Sequence, residues 1–263
     1  MPYARPRISL VMPAYNEEEN LPVAVERARA PLSAISDRWE VVLVNDGSAD
    51  QTGPIADTLA RADPRVRAVH HAQNRGLGGA LVTGFGAARG EVLAYCDADL
   101  PFDLWDLKAA YDLMQREGAD VVAGYRLARE GDGLRRRLYT AVYNGIVRAA
   151  LGLRVRDVNC PLKLVRREVF EAEGLHSAGV FIDAELLARA RRNGFRIVQL
   201  GVVYTPRVRG TSTLSRPSVV AKTLLDLARY RLGMLGPKAP VRMAEQVPAG
   251  RVPGEDVAAD ALP

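Results

Sequence analysis

Short apolar runs alternate with longer amphipathic stretches through the first half of the chain. The runs at 8–12, 40–44, 66–70, 92–96 and 120–124 have the length of strands. The fourth (Val92, Leu93, Ala94, Tyr95, Cys96) is continuously apolar, as expected of a strand covered on both faces. Between them, the segments 21–34, 52–62, 80–89 and 104–117 place apolar residues at helical intervals. Strand and helix in repetition predict an α/β fold, a doubly wound, mostly parallel sheet with helices on both faces in a single catalytic domain.

Polar residues gather where these strands end. Asp97 and Asp99 follow the fourth run one residue apart, a D-x-D motif, and the C-terminal edge of an open α/β sheet is where ligands bind. Two carboxylates there can hold Mg²⁺ or Mn²⁺ against a phosphorylated substrate. The first run stops at Pro13 and is followed by Ala14, Tyr15, Asn16 and the acids Glu17, Glu18 and Glu19, placed where a helix N-terminus favours negative charge. The second ends in Asn45-Asp46-Gly47-Ser48, in which Asp46 is either a turn residue or an acceptor for a nucleobase N–H.

After the third run, Asn74-Arg75-Gly76-Leu77-Gly78-Gly79 reads as a glycine-rich loop ahead of a helix that starts at Ala80. Such a loop lets backbone amides approach a phosphate. Its glycines are not spaced G-x-G-x-x-G, which argues against a nicotinamide dinucleotide. His70 and His71 read as strand-end residues rather than metal ligands.

Charge narrows the partners. The chain carries 36 Lys and Arg against 31 Asp and Glu, a formal net charge of +5 concentrated as Arg in the second half, which suits an anionic substrate or a membrane surface. The arginines are scattered among acids and only 6% of residues are aromatic, so nucleic acid is not expected as a partner. Cys96 and Cys160 lack metal-ligand spacing and read as reduced structural thiols. The N-terminus turns acidic before an apolar core of signal-peptide length develops, and nowhere do about 18 uncharged apolar residues run together. A cytoplasmic protein without a bilayer-spanning helix is therefore expected.

The segments PAYNEEENL, VVLVNDGSAD, NRGLGGALVTGFGAARG and CDADL, in this order, resemble the successive motifs of family 2 glycosyltransferases with the GT-A fold, and among them polyprenyl-phosphate sugar synthases of the dolichyl-phosphate mannose synthase kind. The similarity runs from about Ile8 to Tyr230. Gly124-Tyr125-Arg126, the run from Arg156 to Leu164, the acidic helix start around Asp183 and Glu185, and Arg207-Val208-Arg209-Gly210-Thr211-Ser212 resemble later motifs of the same group. Asn45 stands where the family often has an Asp.

The resemblance implies inverting transfer of a hexose, mannose from GDP-mannose or glucose from a UDP-sugar, to a polyprenyl phosphate. It assigns the metal to Asp99 and Asp97, and the nucleotide base to Asp46, Pro13, Ala14 and Tyr15 with Glu17 nearby. Asn74 and Gly76 would border the donor; Arg126, Arg136 and Arg207 would bind phosphate oxygens, with Ser212 in the loop over the diphosphate. Asp157 would lie near the acceptor and Asp183 or Glu185 near the metal, any of the three becoming a base if the acceptor is a hydroxyl. A soluble hydroxyl acceptor remains the alternative on the same fold, and a nucleotidyltransferase the distant one.

This divides the chain into a nucleotide-sugar transferase domain at 1–215, an amphipathic helix at 216–235 and a disordered Pro/Ala/Gly-rich tail at 236–263. The helix, with cations at Lys222, Arg229 and Arg231, either lies on a membrane surface at its cytoplasmic face or packs on the domain.

Overall fold

The computed structural model describes residues 7–127, 134–172, 174–204 and 217–234 of the 263. Within them the strands are β1 (Ile8–Ala14), β2 (Trp39–Asn45), β3 (Val66–His70), β4 (Val92–Tyr95), β5 (Val121–Arg126), β6 (Lys163–Arg166) and β7 (Ile197–Val202). The helices are α1 (Leu21–Ile35), α2 (Thr52–Ala62), α3 (Gly76–Ala87), α4 (Trp105–Glu117), α5 (Leu134–Leu151), α6 (Arg167–Glu171), α7 (Ile182–Arg192) and α8 (Pro217–Arg231).

The seven strands form one sheet in the order β3-β2-β1-β4-β6-β5-β7. All neighbours are parallel except β6, which runs antiparallel to both β4 and β5. The mostly parallel, doubly wound expectation holds. The insertion β6 was not foreseen, because a four-residue KLVR with a cation at each end carries no strand period; nor was β7.

The helices divide between the two faces of the sheet. The core on one face is built by α1, Ala56 of α2 and α4, through residues such as Leu32, Leu107 and Met114. On the other, Ala80, Leu81 and Phe85 of α3 join residues of α5, α7 and α8, among them Val147, Leu187 and Leu227. Strand order reverses between β1 and β4, and ligands bind at such a switch point. The pairs Ala14↔Asn45 and Asn45↔His70 align the C-terminal ends of β1, β2 and β3 along the same edge.

One boundary departs from expectation in an informative way. The glycine-rich stretch is not a loop ahead of Ala80 but the first turn of α3, which begins at Gly76. A Cβ on Gly78 would stand 1.9 Å from the Ser177 carbonyl oxygen, and one on Gly76 2.6 Å from that of Ala178. Glycine here lets the helix meet another backbone at direct contact.

The helix α8 packs on the domain, turning Thr223, Asp226 and Leu227 inward and setting Tyr230 against Phe181 with ring centres 5.9 Å apart. Among the described residues no helix is long and apolar enough to cross a membrane. The expected tail at 236–263 lies outside the described residues.

Gly78→Ala is expected to cost about 1–3 kcal/mol in urea unfolding, the penalty of overpacking against main chain. Gly86→Ala is the control: nothing lies within 4 Å of its added Cβ, and it should gain about 0.5–1 kcal/mol as a better helix former. A second measurement uses Asp106, in the first turn of α4, whose pKa is raised to about 6 by burial and by the neighbouring Asp103 carboxylate. Its contribution to stability is complete below the unfolded value of about 4 and is lost as pH rises through about 6. Asp106→Asn should therefore match the parent's urea midpoint near pH 4 and exceed it above pH 7.

Candidate active site

The loops that leave β1, β2 and β3 are stitched into one surface by side chains accepting or supplying backbone hydrogen bonds. Asn16, at φ 56° in the left-handed region that Asn tolerates, donates its N–H to Ser48 Oγ at 3.0 Å and accepts from Ala49 N–H at 2.9 Å. The Glu17 N–H reaches Thr52 Oγ1 at 2.8 Å, and the Glu17 carboxylate receives Asn20 Nδ2 at 2.6 Å. Tyr15 is half exposed beside this seam, above the buried Ala14 and half-buried Pro13, so its ring is open for stacking on a planar ligand.

Asp46 joins the second loop to the third. One carboxylate oxygen accepts Arg75 N–H at 2.8 Å and His71 Nδ1 at 2.6 Å; the other accepts Gly76 N–H at 2.9 Å. Asn74 Oδ1 also accepts the Gly76 N–H, at 3.0 Å. A carboxylate offers about four acceptor positions, so Asp46, expected wholly at a nucleobase, spends most of its capacity holding the chain.

The amides expected to cradle a phosphate are likewise engaged: Gly78 and Gly79 donate to the Ala178 carbonyl at 2.9 and 3.4 Å. The phosphate-loop expectation is thus corrected, because starting α3 at Gly76 points these N–H groups at residue 178. His71, read from sequence only as a strand-end residue, completes the brace by contacting Thr83 Oγ1 at 2.9 Å.

Asp97 and Asp99 sit on the turn after β4, at the switch point beside the end of β1. The turn closes through Leu100 N–H to Asp97 carbonyl at 3.1 Å, with Leu100 held at φ 49°. A left-handed Leu costs about 1–2 kcal/mol, a strain of the sort stored where a loop presents functional groups.

Across the sheet, at the end of β5, Arg126 and Asp157 form a two-pronged ion pair, Nε to Oδ2 at 2.6 Å and Nη2 to Oδ1 at 3.0 Å. Burial opposes the Arg126 charge, but Asp157 outweighs it and the guanidinium pKa is raised. The residues expected separately on the diphosphate and the acceptor are therefore partners of each other.

Two further expectations change. Asp183 is 3% exposed, accepts a short hydrogen bond from Tyr95 Oη, and pairs with Lys163 Nζ at 3.1 Å. Its pKa is raised by burial, against the lowering effect of Lys163. Both contacts tie it to the core strands β4 and β6. Glu185 is fully buried, accepts Ser177 N–H at 2.7 Å and His176 N–H at 3.1 Å, and pairs with Arg189 at 2.8 Å. It holds the 176–178 segment on which α3 rests, because a helix start buried at α7 must satisfy nearby amides. Arg207 and Ser212, together with the Arg136 side chain, lie outside the described residues.

Sequence reasoning missed the partners of these groups: Lys163, Tyr95, Arg189 and His71. A lysine set between Leu162 and Leu164 was the one available signal, since a buried Lys must be paired.

The site can be set beside known proteins. Over 236 residues, 86% of this chain, it is 37% identical to glycosyltransferase AglD of Haloferax volcanii, of whose length it spans 35%. It is 35% identical over 227 residues to the polyprenol monophosphomannose synthase of Mycolicibacterium smegmatis, covering 81% of this chain and 83% of that protein. In fold it is similar to the glucosyl-3-phosphoglycerate synthase of Mycobacterium tuberculosis, solved with Mn²⁺, UDP and glucosyl-3-phosphoglycerate, with a TM-score of 0.66 and 23% identity over 89% of this chain and 82% of that one. The family model for glycosyl transferase family 2 matches residues 9–174, which carry β1 to β6. With its D-x-D turn at the β1/β4 switch point and this match over most of the sheet, the chain belongs to glycosyl transferase family 2.

Proposed function

We propose that the protein transfers a hexose from a nucleotide sugar, GDP-mannose or a UDP-hexose, to a polyprenyl phosphate with inversion at the anomeric carbon. The observation that carries this reading is that Asp157, Asp183 and Glu185 are each tied to a cation within the protein. Asp97 and Asp99 stand at the switch point. A hydroxyl acceptor needs a base to take its proton, and the three cation-paired acids are the candidates. A phosphate oxygen is already anionic near neutral pH and needs none. The likeness to a polyprenol monophosphomannose synthase over most of both chains supports the same acceptor.

In this scheme the acceptor oxygen forms a bond to the anomeric carbon as the bond from that carbon to the donor's diphosphate oxygen breaks. The nucleoside diphosphate leaves with the electron pair, and no proton moves. Tyr15 offers a face to the base, and Asp46 its remaining acceptor position. The pairing with Asp157 uses two of the five guanidinium donors of Arg126, and the others serve a phosphate, for which a forked, permanently charged group is well shaped.

Asp97 and Asp99 fit Mg²⁺ or Mn²⁺. Among the described residues no group of three His, Cys, Asp or Glu side chains could cage an ion, and Mg²⁺ is commonly held by one or two carboxylates plus substrate phosphates and water. When bound, such an ion neutralises charge building on the leaving diphosphate. The fold relative solved with Mn²⁺ and UDP supports this use of the edge.

The acceptor's lipid tail places the enzyme at a membrane face. The helices α5 and α8 pack together, and they leave Val142, Ile146, Leu224 and Leu225 exposed beside Lys222, Arg229 and Arg231. Apolar residues rimmed by cations suit an anionic bilayer surface.

Incubation with Mg²⁺ or Mn²⁺, labelled GDP- and UDP-sugars and polyprenyl phosphate should move label from one donor into the organic phase. EDTA should abolish the transfer, and Asp99→Asn should lower it by well over tenfold. Label that reaches only water-soluble products would instead favour the hydroxyl-acceptor transferase. Paired Leu224→Glu and Leu225→Glu should lower co-flotation with phosphatidylglycerol vesicles by about tenfold while leaving the thermal midpoint within a few degrees; unchanged flotation would remove this face from the membrane.

A further inference from the structure

Lys163 is the one lysine with no exposed surface among the described residues, and none of the roles above uses it. It opens β6, directly opposite Tyr95 of β4 in the antiparallel register. Its ammonium donates to the Val158 carbonyl at 3.0 Å and the Cys160 carbonyl at 2.5 Å, and pairs with Asp183 at 3.1 Å. Tyr95 closes the cluster, its hydroxyl on Asp183 and its ring centre 5.8 Å from the Lys163 nitrogen.

Three donors thus meet three acceptors, the full capacity of an ammonium group. Two of those acceptors belong to the segment that begins at Asp157. The same segment is gripped from the other side by Asn144 of α5, whose Oδ1 accepts the Val158 N–H at 3.1 Å.

We propose that Lys163 is a positioning residue for the transfer reaction: it fixes the main chain of 158–160, and with it Asp157 and Arg126, at a set height relative to the Asp97/Asp99 turn that ends β4. Asp183 holds the ammonium against the underside of Tyr95, so the acceptor side of the crevice is registered on the same strand that carries the donor-side carboxylates. The inference rests on the reading that the Asp157 side receives the acceptor. A positioning fault here acts on the distance between acceptor oxygen and anomeric carbon, and errors of about 1 Å can cost on the order of a hundredfold in rate.

The test compares Lys163→Gln with the double variant Lys163→Met, Asp183→Asn, which removes both charges together and leaves no unpaired one buried. Whichever folds is read in three ways. The kcat for transfer to polyprenyl phosphate should fall at least tenfold. The Kd for GDP or UDP with Mn²⁺, whichever the parent binds, should stay within threefold. Amide exchange at 158–160 should quicken at least tenfold while β1 and β2 amides stay unchanged.

A folded variant with kcat and acceptor KM within twofold of the parent overturns the proposal, as does unchanged exchange at 158–160. Nucleotide affinity that falls in step with kcat, or failure of both variants to fold, makes Lys163 a core residue and overturns it equally. A parent that transfers nothing to polyprenyl phosphate would sink the acceptor assignment alone, and the exchange measurement would still decide whether Lys163 holds the segment.

Discussion

A charge taken out of water must find a partner, and this rule organises the ligand edge of the protein. Asp46, Asp183 and Glu185 are all under 5% exposed, and each meets the requirement differently. Asp46 collects two backbone amides and an imidazole; Asp183 takes an ammonium and a phenol; Glu185 takes two amides and a guanidinium. An unsatisfied buried carboxylate would cost several kcal/mol, so each one fixes the elements that supply its donors. The loops after β2 and β3, the start of α3, the 176–178 segment and the Asp157 segment are held in this way.

The consequence for chemistry is a division of labour among acids. Those that define the shape of the crevice are consumed in doing so, and Asp97 and Asp99 are carried on a short strained turn at the point where strand order reverses. A transferase with an anionic acceptor has no need of a spare base. On the proposed reading its demands are permanent positive charge near phosphates and rigid separation of two substrates, and Arg126, held by its buried partner, is the residue proposed to meet the first.

The antiparallel strand β6 has a part in this that its four residues do not advertise. Lying between β4 and β5, it brings Lys163 under the Asp157 segment and beside Tyr95, so both sides of the crevice refer to one strand. The outer face of α5 and α8 is connected to the same segment through Asn144, which sets the surface proposed to meet the membrane one hydrogen bond away from the segment proposed to receive the acceptor.

The sequence alone determined the alternation of strands and helices, the crevice edge and the identity of the D-x-D pair, because apolar periodicity and residues at strand ends are local properties of the chain. Strand 66–70 and helix 52–62 were legible to the residue. Other properties depended on which groups come to face each other. Nothing in Asn74-Arg75-Gly76-Leu77-Gly78-Gly79 indicates that Ala178 will take its amides, nothing in Asp183 or Glu185 separates a substrate contact from a buried brace, and Arg126 and Asp157 lie 31 residues apart before the fold pairs them. Those pairings follow from sheet order and register, which set the distance between residues remote in sequence, and a carboxylate's function depends on whether that distance brings it a cation of its own protein or leaves it facing the crevice.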